Sequence, residues 1–231
     1  TFFAKQGRGP EGARLRGTEL RAVRRELKRS LARLGMPEAV NIPDFDGFVI
    51  VGMTTTPFAL APMLAEHAVH GWGESEARPL VSEPALIASL LAAIEDNLAV
   101  SMIEKIRRIG AAPILLVPQP YPSEEVLNAG SRHAGLRLIH QRGQGARVAA
   151  LVEQAHMRVF GNMAGVRMLA QPDETVIHGF LTRERHTRGA GRLNEGGQQP
   201  ETDILHANAD YGRLVLGEIQ REMQEMVRIS V

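Results

Sequence analysis

An acidic and a basic side chain lie three residues apart near the C-terminus, at Asp203 and His206. A carboxylate that accepts a hydrogen bond from one imidazole nitrogen leaves the other nitrogen free to take a proton from a nucleophile. Asn208 follows as a suitable N-cap for a helix with an apolar face. The spacing therefore allows the base and orienting acid of a nucleophilic hydrolase, although on spacing alone the capping and packing of that helix is the more frequent use.

Composition sets the broad class of the protein. The 231 residues, 44% of them hydrophobic, are enough for one domain with a full core, which we place at residues 1–231. Lys plus Arg (27) nearly balances Asp plus Glu (26), so nothing indicates a nucleic-acid partner. No cysteine is present for disulfides or thiolate metal sites, and no apolar run approaches the roughly 20 residues of a membrane span. The compartment is undetermined, with a slight preference for the cytoplasm.

Two continuous apolar runs predict the strands that would position the site. Phe48–Val51 ends at Gly52 and leads into the loop 53–57, and Ile114–Val117 leads into a proline-rich loop that ends at Pro122. Such runs are typical of strands buried on both faces of a parallel sheet. Ligands of open α/β sheets bind beyond the carboxyl ends of the strands. These two loops are therefore expected to lie near the chemistry.

The remaining pattern alternates between strand and helix. We predict strands at 1–4, 136–139 and 166–169, and helices from Thr18 to Leu34, from the cap Ser82 to Ile109, at 123–134 and at 148–160. The segment from Arg183 to Glu201 is long and irregular, and it leads directly to Asp203. This order predicts an α/β protein with a doubly wound parallel sheet in a three-layer α/β/α sandwich, flavodoxin-like in its layers.

The block Asp203-x-x-His206-x-Asn208, followed by Tyr211-Gly212 and a terminal helix, resembles the last signature block of the SGNH hydrolases, or GDSL-type esterases. The strands at 48–51 and 114–117 and the glycine loop at Gly7 and Gly9 fall in that family's order. The resemblance implies a serine hydrolase that acts on a small-molecule acyl ester or carbohydrate ester, including an acylated sugar, without a metal or organic cofactor. It implies His206 as the base and Asp203 as its orienting acid. It also implies an oxyanion and substrate-binding site drawn from a set of five residues: Gly7, Gly9, Gly52, Thr54 and Asn208.

Two departures from the family pattern matter for activity. No Gly-Asp-Ser or Gly-Asn-Ser turn is present, and since Phe2-Phe3 resembles the family's second strand, the serine is expected upstream of Thr1. The chain is accordingly interpreted as an N-terminally truncated member that is inactive by itself. Gly52-Met53-Thr54 replaces the expected Gly-x-Asn. Loss of one oxyanion donor costs about 3–4 kcal/mol in well-studied enzymes.

Other interpretations remain open. Ser75 nearly fits a nucleophile elbow, but no strand precedes it and two glutamates flank it. A non-catalytic ligand- or carbohydrate-binding domain on the same fold is the main alternative. A nucleotide-binding domain is a second one, because the loop 7–12 partly matches a dinucleotide fingerprint. Seven further histidines lack metal-ligand spacing and are interpreted as scattered surface or loop residues: His67, His70, His133, His140, His156, His178 and His186.

Overall fold

A computed structural model describes residues 12–73, 78–128, 133–192, 197–200 and 202–230. The expected strand at 1–4, the glycines Gly7 and Gly9, and the candidate serine Ser75 lie outside these residues. The strands are β1 (Ala13–Arg16), β2 (Glu19–Ala22), β3 (Ala39–Asn41), β4 (Phe48–Val51), β5 (Ala68–Val69), β6 (Leu80–Val81), β7 (Ile114–Val117), β8 (Val166–Met168), β9 (Val176–Ile177) and β10 (Leu181–Thr182). The α-helices are α1 (Arg25–Arg33), α2 (Ala61–Glu66), α3 (Glu83–Glu95), α4 (Leu98–Arg107), α5 (Ala134–Gln141), α6 (Gly145–Phe160) and α7 (Ala209–Ser230).

A parallel sheet in the order β4-β7-β8 positions the candidate site. All four residues of the central strand β7 are buried. Leu115 and Val117 on one face of β7 pack against α7, whereas Ile114 and Leu116 on the other face join the main core with residues of α3, α4 and α6. The described chain is therefore a mixed α/β protein whose parallel sheet is flanked by helices. The prediction that the apolar run Ile114–Val117 forms a buried strand is confirmed.

Strand β4 lies at an edge of the described sheet. It pairs with β7 in parallel register, but the side chains of Val49 and Val51 are 40% and 57% exposed. The prediction that the run Phe48–Val51 is a strand is confirmed. The prediction that it is buried on both faces is wrong within the described chain, because β4 has one strand neighbour there and α7 lies over β7.

The helix predicted from Thr18 to Leu34 is wrong in its first half. Residues 13–22 form the hairpin β1–β2, whose turn holds Gly17 at φ +58°. Leu20 and Ala22 alternate into the core as strand residues do, and the helical spacing begins with Leu27 and Leu31. The Thr18 hydroxyl does not cap a helix but donates to Asn41 Oδ1 at 2.7 Å, which ties the turn to β3.

Three other predicted elements need adjustment. Ser82 caps a helix as expected, but the long helix is divided into α3 and α4, which meet at 52°. No single described helix is long and apolar enough to cross a membrane. Among the described helices, only α3 and α4 taken together reach the length and hydropathy of a membrane span, and they are bent relative to each other. The strand expected at 136–139 is the helix α5, since Leu136 and Ile139 lie three apart on one buried helical face. The helix expected at 123–134 is a 3₁₀ turn at Glu124–Leu127 in its described part.

Candidate active site

The segment Asp203–His206 forms a tight turn around the Asp203 carboxylate. Its Oδ1 atom accepts hydrogen bonds from the backbone N–H groups of Leu205 at 2.8 Å and His206 at 3.1 Å. Its Oδ2 atom lies 2.6 Å from His206 Nδ1. An Asp side chain commonly closes such a turn onto its own following backbone. The spacing of three residues thus places the imidazole directly on the carboxylate.

Electrostatics keep the Asp203 carboxyl ionised. Partial burial raises its pKa, but the hydrogen bonds from Leu205 N–H, the His206 ring and His206 N–H together outweigh burial, and the pKa of Asp203 lies below its ordinary value. An ionised carboxylate only accepts, so the neutral imidazole carries its proton on Nδ1. His206 Nε2 is then an acceptor. The His206 side chain is 57% exposed whereas that of Asp203 is 15% exposed, so the ring is accessible and its anchor is sheltered.

The turn is fixed at both ends by neighbouring segments. Asn208 Oδ1 accepts from the backbone N–H groups of Asp210 at 3.0 Å and Tyr211 at 3.2 Å, which caps α7 as the sequence predicted. Asn208 Nδ2 donates to the backbone carbonyls of Arg185 and Arg188 in the preceding loop. The carbonyl of the buried Ile204 accepts from Ser123 N–H at 2.8 Å, just beyond the loop that follows β7. The part of the preceding loop around Arg185 and Arg188 is therefore attached to the site.

The residues expected to form an oxyanion site beyond β4 have other partners. Gly52 N–H donates to Val117 O at 2.9 Å, and this glycine adopts φ +72°. Thr54 is only 6% exposed, and its hydroxyl lies 2.8 Å from His156 Nε2. No hydrogen bond among the described residues joins Gly52 or Thr54 to the Asp203–His206 turn. The structure thus brings Asp203, His206 and Asn208 together, whereas Gly52 and Thr54 are hydrogen-bonded to Val117 and His156.

His156 corrects the interpretation that this histidine lies on the surface or in a loop. It belongs to α6 and is 4% exposed. Burial lowers its pKa from 6.5 to about 4, so the ring is uncharged at neutral pH. The sequence carried a signal for this position, because Val148, Val152, His156 and Phe160 recur every four residues on the buried face of the helix. His186, at 6% exposure, is likewise buried.

A cavity of about 360 Å³ lies beyond the carboxyl ends of the parallel strands. Its wall includes Val117 at the end of β7, Met168 at the end of β8, and Tyr211 in the first turn of α7. Tyr121, Glu153 and His156 also contribute to it. Sequence reasoning singled out the loop that carries Tyr121 but none of these side chains as a binding residue. One of its lining residues, Tyr211, follows His206 by five residues and lies in the helix that Asn208 caps.

No protein-family model, curated protein or solved structure matches this chain. Within the described residues, no three His, Asp or Glu side chains group closely enough to hold a metal ion. The site is therefore interpreted from its own geometry.

Proposed function

We propose that the intact protein is a serine hydrolase of the SGNH type that cleaves an ester of a small molecule. The observation that carries this proposal is the 2.6 Å contact between His206 Nδ1 and Asp203 Oδ2, combined with a ring that is 57% exposed. With 57% of the side chain exposed, Nε2 can be reached by a group outside the turn. A general base needs an oriented ring with one accessible acceptor nitrogen.

The chemistry follows from this orientation. A serine hydroxyl gives its proton to His206 Nε2 as its oxygen bonds to the ester carbonyl carbon, and the carbonyl electron pair moves onto the oxygen. Asp203 offsets the positive charge of the imidazolium. The imidazolium then protonates the departing alkoxide, and an acyl-serine remains. Water repeats the sequence, with its proton passing through Nε2 to the serine, and the carboxylic acid is released.

We place this serine outside the described residues, on a further strand beside β4. Phe48 N–H and Gly52 N–H both donate toward β7, so the backbone groups of Val49 and Val51 face the side of β4 on which no described strand pairs. An apolar groove of about 380 Å³ runs along β4 and includes Phe45 among its lining residues. A parallel strand in this position would extend the sheet, in keeping with a doubly wound three-layer fold. Its carboxyl end would lie at the same sheet edge as Gly52 and the cavity.

A non-catalytic ligand- or carbohydrate-binding domain is the second candidate, and a specific observation favours it. Gly52 N–H, in the expected oxyanion and substrate-binding set, already donates to Val117 O, and the Thr54 hydroxyl of the same set is hydrogen-bonded to His156 Nε2. A hole whose donors are already bonded contributes little to stabilising a tetrahedral intermediate. In this case the cavity would bind its ligand without turnover.

Covalent labelling separates the two candidates. The complete protein, translated from its natural reading frame, is treated with a fluorophosphonate, and the modified residue is located by mass spectrometry. We expect a labelled serine in the wild type. In His206→Ala the rate of labelling should fall by about 10²-fold or more. His70→Ala is the matched control, because His70 is an exposed histidine on another part of the fold.

The result has two decisive contrary outcomes. Undiminished labelling of His206→Ala would remove His206 from the reaction. An unlabelled wild-type protein that still binds its ligand would favour the binding domain.

A further inference from the structure

The cavity beyond β7 and β8 is shaped by small residues on one wall. Ala146, Ala149 and Ala150 of α6 line it, and each presents only a methyl group. The apolar residues Val117 of β7, Leu169 directly after β8 and Val215 of α7 also line it. The volume of about 360 Å³ equals that of roughly a dozen water molecules at about 30 Å³ each. This space and lining suit a mostly apolar group.

Two tyrosines are among the hydrogen-bond donors that line the cavity. Tyr211 is 7% exposed, and neither its hydroxyl nor that of Tyr121 has a hydrogen-bond partner among the described residues. Burial raises the pKa of both phenols, and the nearby charge of Glu153 raises that of Tyr121 further. Both hydroxyls therefore stay protonated at neutral pH. Neither hydroxyl is among the buried, unpartnered polar atoms of the described residues, so both are accessible and can donate to a ligand oxygen.

The charges around the cavity exclude anions. The acidic side chains of Glu153 and Asp173 line it, and none of the described lining residues is Lys or Arg. His156 adds no charge near pH 7, since its pKa is about 4. A ligand carboxylate or phosphate would meet like charge here and no cation to pair with.

We propose that this cavity binds an uncharged group with an apolar body and one oxygen acceptor, held by the hydroxyls of Tyr121 and Tyr211. In the ester substrate this is the uncharged acyl or alcohol part, so that the substrate class is a neutral ester rather than a phosphorylated or carboxylated one. This assignment of substrate class rests on the proposed hydrolase function, but the binding itself does not require a nucleophile.

Tyrosine signals test the binding directly, because Tyr121 and Tyr211 are the two tyrosines of the whole chain. Protein carrying ¹³C-labelled tyrosine rings is titrated with hexanamide and, separately, with hexanoate, which has the same length and a charge. We expect hexanamide to shift both ring signals with a Kd of about 1 mM, typical of a ligand with so few atoms. The Kd of hexanoate should be higher than that of hexanamide by a factor of about ten or more.

A matched pair of variants locates the ligand. Ala150→Leu places a larger side chain in the cavity from an exposed helical position and should abolish the hexanamide shifts. Ala93→Leu makes the same change at an exposed alanine of α3 and should leave them intact.

Three results would overturn the proposal: no saturable shift with hexanamide, equal or tighter binding of hexanoate, or persistence of the shifts in Ala150→Leu. Because no turnover is measured, these results leave the fluorophosphonate test of His206 unaffected. An unlabelled wild-type protein, or undiminished labelling of His206→Ala, would in turn leave the binding result standing.

Discussion

The buried imidazole of His156 makes the stability of this fold depend on pH. In the folded protein its pKa is about 4, and in the unfolded chain the ordinary value of 6.5 applies. Between these values the unfolded chain binds more protons than the folded one, so stability falls as the pH is lowered from above 6.5 toward 4. The stabilisation is fully present above the unfolded pKa and is lost below the folded one.

The size of this effect follows from the shift. Each pKa unit corresponds to about 1.4 kcal/mol, so the complete loss is about 3 kcal/mol, and about 2 kcal/mol is lost by pH 5. A typical domain has a free energy of unfolding of roughly 5–15 kcal/mol, so this one ring carries a substantial share. Asp203 does not interfere in that range. Its pKa is lowered in the folded protein, so the stabilisation that it contributes is lost only as the pH falls below the ordinary pKa of a carboxyl group.

Urea unfolding at pH 8, 6.5 and 5, followed by circular dichroism, measures the effect in the wild type and in His156→Gln. The glutamine does not titrate, so the difference in unfolding free energy between the two proteins should shrink by about 2 kcal/mol from pH 8 to pH 5. His186, whose pKa is also lowered by burial, contributes equally to both proteins and cancels. The exposed His70→Gln is the control and should follow the wild type. Parallel curves for the wild type and His156→Gln would refute the reasoning.

Three further predictions concern the site turn and two glycines. Asp203→Asn should transfer the ring proton of His206 from Nδ1 to Nε2, because an amide N–H in the position of Asp203 Oδ2 donates instead of accepting. The tautomer of the neutral ring is measured by ¹⁵N NMR, and an unchanged tautomer would contradict the assignment. Asn208→Ala should destabilise the fold by about 1–2 kcal/mol in urea unfolding, because it loses the cap of α7 and the two Nδ2 bonds to the carbonyls of Arg185 and Arg188. Asn208→Asp keeps the cap but loses the two Nδ2 bonds and should be destabilised as well; an Asn208→Ala variant as stable as the wild type would contradict both roles. Gly135→Ala should destabilise by about 1–3 kcal/mol, since its Cβ would lie 2.1 Å from Ala61 O. The same change at Gly217 meets nothing within 4 Å and should stabilise α7 by about 0.5–1 kcal/mol, so thermal unfolding midpoints that move in the same direction would refute the contrast.

The features that the sequence predicted well depend on local contacts. The Asp203 carboxylate bonds to atoms two and three residues away, so spacing alone suggests the turn. Asn208 likewise caps residues that follow it directly. The strand β7 could be identified because complete burial leaves a continuous apolar run. The catalytic roles of these residues remain predictions.

The features that the sequence missed depend on distant partners or on competing patterns. Leu20 fits the helical spacing of Leu27 and Leu31, but its pairing with β3 and the turn at Gly17 place it in a strand. The cavity joins Tyr121 and Tyr211, which lie 90 residues apart in the chain, so no window of sequence contains both. The exposure of Val51 depends on which strands neighbour β4, and an apolar run carries no information about its neighbours.

The side of β4 on which no described strand pairs also has a consequence for handling the protein. A short strand of phenylalanine, valine and isoleucine without a lysine, proline or bulge is a template on which another polypeptide can extend. At high concentration such edges favour growth of intermolecular cross-β aggregates. A charge at Val51 would suppress that growth, and it would also oppose the pairing that the proposed serine strand requires. The same four residues would therefore influence both aggregation and the pairing with a further strand that the proposed function requires.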